Sequence, residues 1–258
     1  MGKRTNAIAL RLASRQRWQS EASRSDHLKK ADPRFSQKLT FALKRSLWQF
    51  KVELLHTLVL RPSFACQVYA FVCGPLPLSR RVFLGWRIRA LFGKLVRLRL
   101  YDVRRYFKRK SRRTRPIESF LIRYRWYKDN AFFHATSVYC QFGFVLRSAD
   151  ALCAVVVRLL RKHNRHWVAF KFLKLIGDSY YNKSKADVGG GLYGLLVQVS
   201  GKINGRPRKK KRVFRWGTMP LQTISRDIDY SYRAVTTKFG VFGVKVWVNR
   251  AKSRAPVT

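Results

Sequence analysis

Asp227 and Asp229 are the two side chains of this chain that come closest to an acid–base pair. Residues two apart on a strand point to the same face, so two such carboxylates could share the proton transfers of a reaction. The segment from Ser225 to Thr237 is predicted as that strand. A catalytic site needs perturbed acids, bases or nucleophiles placed together, and we identify no such set. We therefore interpret the pair as structural, and the sequence predicts no enzyme.

Cysteine and histidine could in principle hold a metal ion. The four cysteines follow one another at spacings of 7, 67 and 13 positions, so the C-x-x-C pattern of common zinc sites is missing. They are Cys66, Cys73, Cys140 and Cys153. Each has apolar neighbours, which is typical of buried reduced thiols. His163 and His166 could join them, but without a second spaced pair we predict neither a metal nor a cofactor.

Positive charge is the chemistry that this chain has in abundance. It contains 56 Lys and Arg against 12 Asp and Glu, a formal net charge of +44. Like charges at this density repel one another unless a polyanion neutralises them, and nucleic acid supplies phosphates at regular spacing. An anionic membrane surface is the alternative partner. Because 47% of the residues are hydrophobic and 14% aromatic, the composition excludes a disordered basic tail.

Two stretches without charge, 62–79 and 130–146, are the candidates for a membrane span. A span needs roughly 20 strongly apolar residues. The first stretch is interrupted by Pro75 and Pro77, and the second contains His134 and Gln141. We interpret both as core segments and predict no membrane span.

The cations cluster in three segments, which we predict to bind RNA phosphates. One lies at the N-terminus, one is a dense run near position 110, and one lies in a loop between two predicted strands. Their residues are Lys3, Arg4, Arg11, Arg15, Arg17; Lys108, Arg109, Lys110, Arg112, Arg113, Arg115; and Arg206, Arg208, Lys209, Lys210, Lys211, Arg212.

Hydrophobic periodicity predicts an α+β protein. The stripe from Phe35 to Phe50 indicates a helix, and 52–60 with 65–72 indicate a β-hairpin punctuated by Pro62. A second helical stripe runs from Leu84 to Leu95, and 95–103 alternates as a half-buried strand does. Farther along, two apolar stripes, one from Leu152 to Leu160 and one from Trp167 to Ile176, predict two helices. Four strands follow, at 195–200, 213–216, 225–237 and 241–248.

The last quarter of the sequence resembles the C-terminal domain of the small-subunit ribosomal protein 3 family. It reads V-Q-V-S-G at 197–201, G-T-M-P-L-Q-T-I at 217–224, D-I-D-Y at 227–230 and G-V-F-G-V-K-V-W at 240–247. The opening M-G-K-R-T-N-A-I-A-L-R-L is similar to the start of that family, although Ala7 stands at its proline. The resemblance implies a C-terminal four-stranded sheet packed on helices.

The order helix, strand, strand, helix, strand in the N-terminal half is that of a type II KH domain lacking one helix, which the family carries at this place. A KH domain grips single-stranded nucleic acid with a G-x-x-G loop before the second of these helices. Gly74-Pro-Leu-Pro77 stands there instead, and proline removes backbone donors that a phosphate would need. We predict a degenerate KH-like domain without the clamp.

These observations predict a domain organisation. It consists of an N-terminal RNA-binding extension at 1–33, a degenerate KH-like domain at 34–105, a basic linker or insertion at 106–130, and a C-terminal domain at 131–258 with a family-atypical insertion at 177–191.

The resemblance implies a function in translation. The chain is expected to be a structural constituent of the small ribosomal subunit head that binds ribosomal RNA beside small-subunit proteins 10 and 14. It is also expected to line the channel through which mRNA enters, opposite small-subunit proteins 4 and 5, and lineage-specific ribosomal proteins are further possible partners. The cations that match the family's channel-lining helix are Arg158, Arg161, Lys162 and Arg165.

The alternative functions are a stand-alone RNA-binding or RNA-processing factor that shares the domain, and a cationic protein of a membrane surface. For the compartment, the missing G-x-x-G loop, the basic insertions and the aromatic content indicate a mitochondrial ribosome. The match at Met1 leaves no room for a cleavable presequence, so we expect synthesis inside the mitochondrial matrix. A bacterial cytoplasm or a plastid is the alternative.

Overall fold

The computed structural model describes residues 6–11, 35–50, 52–60, 66–73, 76–93, 96–103, 130–163, 165–186 and 192–250. Its helices are α1 (Phe35–Gln49), α2 (Leu78–Phe92), α3 (Asn130–Val145), α4 (Ala149–Lys162) and α5 (His166–Ala186), with short 3-10 turns at Ala9–Arg11 and Ile203–Gly205. Its strands are β1 (Glu53–Leu60), β2 (Cys66–Cys73), β3 (Val96–Asp102), β4 (Leu192–Gly201), β5 (Lys210–Gly217), β6 (Ile228–Thr237) and β7 (Gly240–Arg250). Contacts divide the chain into two compact units, Arg17–Tyr106 and Met1–Gln16 with Phe107–Thr258.

The N-terminal unit is a three-stranded sheet with two helices. The strand order is β1-β2-β3, in which β2 pairs antiparallel with β1 and parallel with β3. The stripe of α1 predicted from the sequence is buried, since Leu39, Leu43 and Leu47 join Leu84 and Ile88 of α2 in one core. The predicted order helix, strand, strand, helix, strand is confirmed.

The connection before α2 is held by backbone and side-chain contacts. Gly74 and Pro75 lie outside the described residues, but Leu76 is buried and its carbonyl accepts a 2.9 Å hydrogen bond from Nε of Arg81. Proline at the N-cap, Pro77, starts the helix without a side-chain cap. The described part of this connection therefore packs against its own unit.

The C-terminal unit is a two-layer structure with an antiparallel sheet in the order β5-β4-β7-β6. Strand side chains alternate between faces, and the valines at 197, 199, 244, 246 and 248 all point toward the helices. There they meet α4, whose Leu152, Cys153 and Val156 lie in the same core. The predicted α+β class with a four-stranded C-terminal sheet is confirmed.

Three sequence interpretations change at the level of elements. The stretch 130–146, which we expected only to be core, forms α3, with Phe133 and Tyr139 buried. The predicted insertion at 177–191 is helical through Ala186, because α5 continues that far. Gly177 lies inside α5, where the ring of Trp216 occupies the place that a Cβ would take, so the close contact between helix and sheet requires glycine. The last predicted strands begin three residues later, at Ile228, and one residue earlier, at Gly240.

The pair Asp227 and Asp229 fixes α4 on the sheet. Asp229 is buried, and its Oδ2 accepts hydrogen bonds from the backbone N–H of Ala149 at 2.9 Å and from Nη2 of Arg250 at 2.7 Å. The first of these satisfies an otherwise orphan donor in the first turn of α4, where a carboxylate also complements the helix dipole. Asp227 lies 3.9 Å from the other Nη of Arg250. This geometry gives both carboxylates the structural role that the sequence indicated.

Asp150 makes a second anchor one residue into the same helix. Its Oδ2 lies 2.8 Å from Nη2 of Arg233, and its Oδ1 accepts from Oγ of Ser231 at 3.1 Å. Both partners stand on β6. Two carboxylates, one from each element, therefore hold the N-terminus of α4 against β6.

We expect Asp229→Asn to lower the free energy of unfolding by about 2 kcal/mol. The substitution removes the negative charge that strengthens the two buried hydrogen bonds to Ala149 and Arg250. Asp227→Asn is the matched control, and its more exposed and longer ion pair predicts a loss below about 1 kcal/mol. Urea unfolding followed by circular dichroism measures both. Equal losses in the two variants would contradict this account of α4.

Candidate nucleic-acid interface

The densest cationic feature in the described residues is the hairpin between β4 and β5. It carries seven cations between positions 202 and 212, all of them exposed. Asn204 and Gly205 adopt left-handed backbone conformations, with φ of 55° and 76°, and so turn the chain sharply beyond Ile203, which is buried in the core. Of the predicted positions, 206, 208 and 209 lie in the turn. Lys210, Lys211 and Arg212, which the sequence placed in the loop, belong to β5 and pair with β4, because β5 begins three residues earlier than predicted.

A second cationic cluster lies at the C-terminal end of α4. Arg161, Lys162 and Arg165 are exposed there. Basic side chains are also favoured at this end because they complement the helix dipole. Three of the four residues predicted for the mRNA channel are therefore exposed: Arg161 and Lys162 in the last turn of α4, and Arg165 in the connection to α5.

Arg158, the fourth predicted channel residue, has a different setting. Its side chain is half-buried, and its guanidinium lies 5.0 Å from the ring centroid of Phe132 and 5.3 Å from that of Tyr139. Cation–π contacts with two rings of α3 hold the charge against the protein. The family resemblance placed Arg158 with the other three, but its packing against α3 distinguishes it from them.

His166 and Asn204 join the two cationic features. The backbone N–H of His166 donates to Oδ1 of Asn204 at 3.0 Å, and Nδ1 of His166 accepts from the backbone N–H of Asn204 at 3.0 Å. This reciprocal pair ties the start of α5, directly after Arg165, to the base of the basic hairpin. From the sequence, His166 was a candidate metal ligand only, and Asn204 had no assigned role. An amide followed by glycine in a loop was the signal for a left-handed turn.

The environment of His166 keeps its imidazole neutral. The residue is fully buried, with the ring centroids of Phe242 and Phe239 at 4.8 and 5.6 Å. Burial lowers the pKa of His166, and the positive charge of Lys238 lowers it further. Because Nδ1 acts as an acceptor, the neutral form is the one that the Asn204 bond requires.

Arg11 corrects another sequence prediction. We expected it to bind RNA, but its side chain is fully buried in the structure. Its guanidinium donates to the carbonyls of Ala7, Leu221 and Thr223 at 2.9 Å each. Burial lowers the pKa of Arg11, an effect that the nearby Asp227 carboxylate opposes. Arg11 therefore fastens the 6–11 segment to the loop before β6 and offers no contact surface.

Acidic side chains are few in the described part of the C-terminal unit. The four that it contains each have a partner inside the protein: Asp150 contacts Arg233, Asp178 accepts from the indole N–H of Trp216 at 2.7 Å, and Asp227 and Asp229 contact Arg250. The exposed cations of the hairpin and of the end of α4 give this unit a positive surface, which favours a polyanionic partner.

Other predicted positions lie outside the described residues. These are Lys3, Arg4, Arg15 and Arg17 of the N-terminal extension and all six cations at 108–115.

The described ranges contain neither a metal-binding group nor a membrane-spanning helix. No group of three His, Cys, Asp or Glu side chains there is arranged to hold a metal ion. Cys140 and Cys153 are buried free thiols, and burial raises the pKa of Cys140 to about 12. None of the helices described combines the length and the apolar character that crossing a bilayer requires.

The fold and the charge define a cationic two-layer domain in which a four-stranded sheet carries a basic hairpin. The family described as "Ribosomal protein S3, C-terminal domain" matches residues 182–248, which span β4 to β7 and the hairpin. The match falls in the last part of the chain, which is the part that carries the resemblance seen in the sequence.

Curated relatives agree with the family match. The chain is 45% identical over 103 residues to "Small ribosomal subunit protein uS3c" of Cyanophora paradoxa, covering 40% of this chain and 44% of the relative. It is 32% identical over 101 residues to "Small ribosomal subunit protein uS3" of Synechocystis, covering 39% and 40%. It is 46% identical over 65 residues to the protein of that name from Persephonella marina, covering 25% and 29%. The matches thus span less than half the length of these relatives.

The stability of the C-terminal unit is expected to fall as the pH drops below about 6.5, the ordinary histidine pKa. The unfolded chain then takes up a proton that folded His166 resists, because its pKa is lowered, so unfolding becomes more favourable. Above that pH both states are neutral, and the His166–Asn204 bond contributes fully. His166→Gln removes the titration, so the difference in unfolding free energy between pH 7.5 and pH 5.5 should shrink.

Urea titrations at the two pH values test this expectation, and NMR of the imidazole protons follows the titration of His166 directly. An unchanged pH dependence in His166→Gln, or an imidazole that titrates above its ordinary pKa, would contradict it.

Proposed function

We propose that this protein is a structural constituent of the small ribosomal subunit that binds ribosomal RNA. The observation that carries the proposal is the match at 182–248, which covers the basic hairpin together with the sheet that roots it. The names of the relatives support the same subunit. The exposed cations of the hairpin and of the end of α4 support RNA as the partner, since phosphate neutralisation releases counterions.

The hairpin is the main ribosomal RNA contact in this proposal. Its cations are exposed, so they can contact phosphates, while the His166–Asn204 pair and buried Ile203 hold its base. A rigid base lowers the entropy that binding must overcome. Contacts of this kind position a protein on RNA and carry no base sequence information.

The end of α4 is the proposed mRNA contact. Arg161, Lys162 and Arg165 would hold messenger phosphates in the channel through which mRNA enters. Flexible, exposed side chains that contact only the backbone let the strand slide. Arg158 has no part in this contact, because its guanidinium lies against Phe132 and Tyr139.

The protein neighbours follow from the resemblance alone. Small-subunit proteins 10 and 14 are the proposed partners in the head of the subunit, and proteins 4 and 5 would stand across the channel. The N-terminal unit serves as a scaffold in this proposal, because the phosphate-binding loop of a KH domain is replaced at 74–77.

A mitochondrial ribosome is the proposed location, with a bacterial or plastid ribosome as the alternative. The replaced loop and the basic run at 108–115 support divergence from the bacterial pattern. The relatives compared above come from bacteria and from Cyanophora paradoxa, so they leave the compartment open. Co-purification of the coding sequence with mitochondrial DNA tests this part of the proposal, and a chromosomal location in a bacterium would overturn it.

A stand-alone RNA-binding or RNA-processing factor is the second candidate. The observation in its favour is that the family match covers 182–248 and leaves the rest of the chain outside. Such a factor would use the same cations on a different RNA.

Sedimentation separates the two candidates. We expect the tagged full chain to remain with small subunits in a sucrose gradient at about 0.5 M salt, because a structural constituent is held by many buried contacts besides screened charges. A stand-alone factor should move to the soluble fraction as its phosphate contacts weaken. Recovery mainly in the soluble or the membrane fraction would overturn the proposal.

The channel contact is tested with single substitutions on one helix. Arg161→Ala in assembled subunits should weaken the retention of an unstructured mRNA and reduce the slope of log affinity against log salt by about 0.7, as expected for the loss of one phosphate contact. Arg158→Ala is the matched control, which should leave both quantities unchanged. If both variants retain mRNA like the unmodified protein, the assignment of this surface is wrong.

A further inference from the structure

The sheet of the C-terminal unit has a second face, which the helices do not cover. Because side chains alternate along a strand, every second residue of each strand points to this face, away from the valine core. The register aligns these residues in rows across the sheet. One row reads Arg215, Leu196, Trp247, Tyr230; the next reads Val213, Gln198, Lys245, Tyr232; and a third reads Lys211, Ser200, Gly243, Ala234.

Half of this face is closed by the chain itself. Ala7 and Met219 pack on Leu196, Ile228 and Trp247 in a separate small core. Arg11, through its bonds to the carbonyls at 221 and 223, fastens the two covering segments together. The apolar half of the face is therefore buried by the chain itself, whereas the other half stays open.

The remaining half is a groove of about 1000 Å³ that runs across β5, β4, β7 and β6. Its floor is polar, with Gln198 and Ser200 half-buried in it. Gly243 keeps the floor low: a Cβ there would lie 3.2 Å from Oγ of Ser200 and 3.4 Å from the ring of Tyr232. Glycine thus preserves an open space beside the tyrosine, as a ligand that approaches the backbone requires.

The groove combines aromatic faces with cations. Tyr232 is 55% exposed although it stands in the middle of a strand, and Tyr230 beside it is braced by Trp247 at 5.2 Å between ring centroids. Lys245 is the register neighbour of Tyr232, and Lys202, Lys209 and Lys211 line the hairpin side. Among the described residues that line the groove, none is acidic.

We propose that this groove binds a single-stranded segment of RNA, with a base stacked on Tyr232 and the backbone held by Lys245 and Lys211. The inference rests on the proposed function and names the form of RNA at this site. Exposed aromatic rings on a sheet stack unpaired bases, while Gln and Ser side chains can hydrogen-bond their edges. A duplex offers its bases to no such ring, because they are already stacked. An acidic protein segment would satisfy the lysines but leave the tyrosine face without a partner.

The test compares the affinity of the purified full chain for a labelled oligouridine of about 12 nucleotides and for a duplex of equal length. Tyr232→Ala should weaken oligouridine binding about tenfold and leave duplex binding unchanged, whereas Tyr232→Trp should keep the affinity of the unmodified chain. Lys245→Gln should reduce the salt slope of oligouridine binding by about 0.7. Tyr193→Ala and Lys174→Gln replace an exposed tyrosine and an exposed lysine outside the groove, and they should have no effect on oligouridine binding.

Photocrosslinking of an oligouridine that contains 4-thiouridine supplies a direct readout, with the crosslink expected on the peptide that contains Tyr232. Wild-type oligouridine affinity in Tyr232→Ala overturns the inference and leaves the proposed function standing if the chain still sediments with small subunits. Wild-type RNA affinity together with weaker sedimentation of Tyr232→Ala indicates that a protein occupies the groove, and it also overturns the inference. A chain that binds neither RNA nor the subunit overturns both proposals.

Discussion

The two-sided sheet is the constraint on which the C-terminal unit depends. In β4 and β7, alternate residues, most of them valines, face the helices, and the residues between them form a different surface. A shift of one position in the pairing of these strands would exchange the two sets and expose the core. The register therefore determines both which residues form the core and which residues form the outer face, so a change of register would alter both.

The helices follow from that sheet. Asp229 and Asp150 hold the start of α4 on β6, which determines where the other end of α4, with Arg161 and Lys162, emerges. The His166–Asn204 pair then links the next helix to the basic hairpin. The four carboxylates described in this unit hold elements together. The cations of the hairpin and of the end of α4 are exposed, and solvent and salt screen the repulsion between them there.

Predictions from the sequence succeeded where periodicity and burial agree. The Leu39, Leu43, Leu47 stripe and the alternating strands β4 and β7 were predicted because one face of each is apolar and the other polar, and that pattern directly reports burial. Predictions failed where a side chain had two possible uses. Arg11 and Arg158 have the same chemistry as the exposed cations, but backbone carbonyls surround one guanidinium and aromatic rings cover the other. The helical extension of α5 to Ala186 was missed because its last turns carry a polar sequence that resembles a loop.

The sequence by itself determined the charge, the class of fold and the family of the C-terminal domain, because composition and local periodicity are properties of neighbouring residues. Only the tertiary structure decided which cations are available and which faces stay open. Arg11 meets the carbonyls near Thr223 across some two hundred positions of chain. His166 meets Asn204 across 38 positions, and the register of β6 and β7 places Tyr232 beside Lys245. Such contacts depend on strand register and helix packing, which no short stretch of sequence specifies. They decide which cations are exposed to a partner and which stabilise the protein itself.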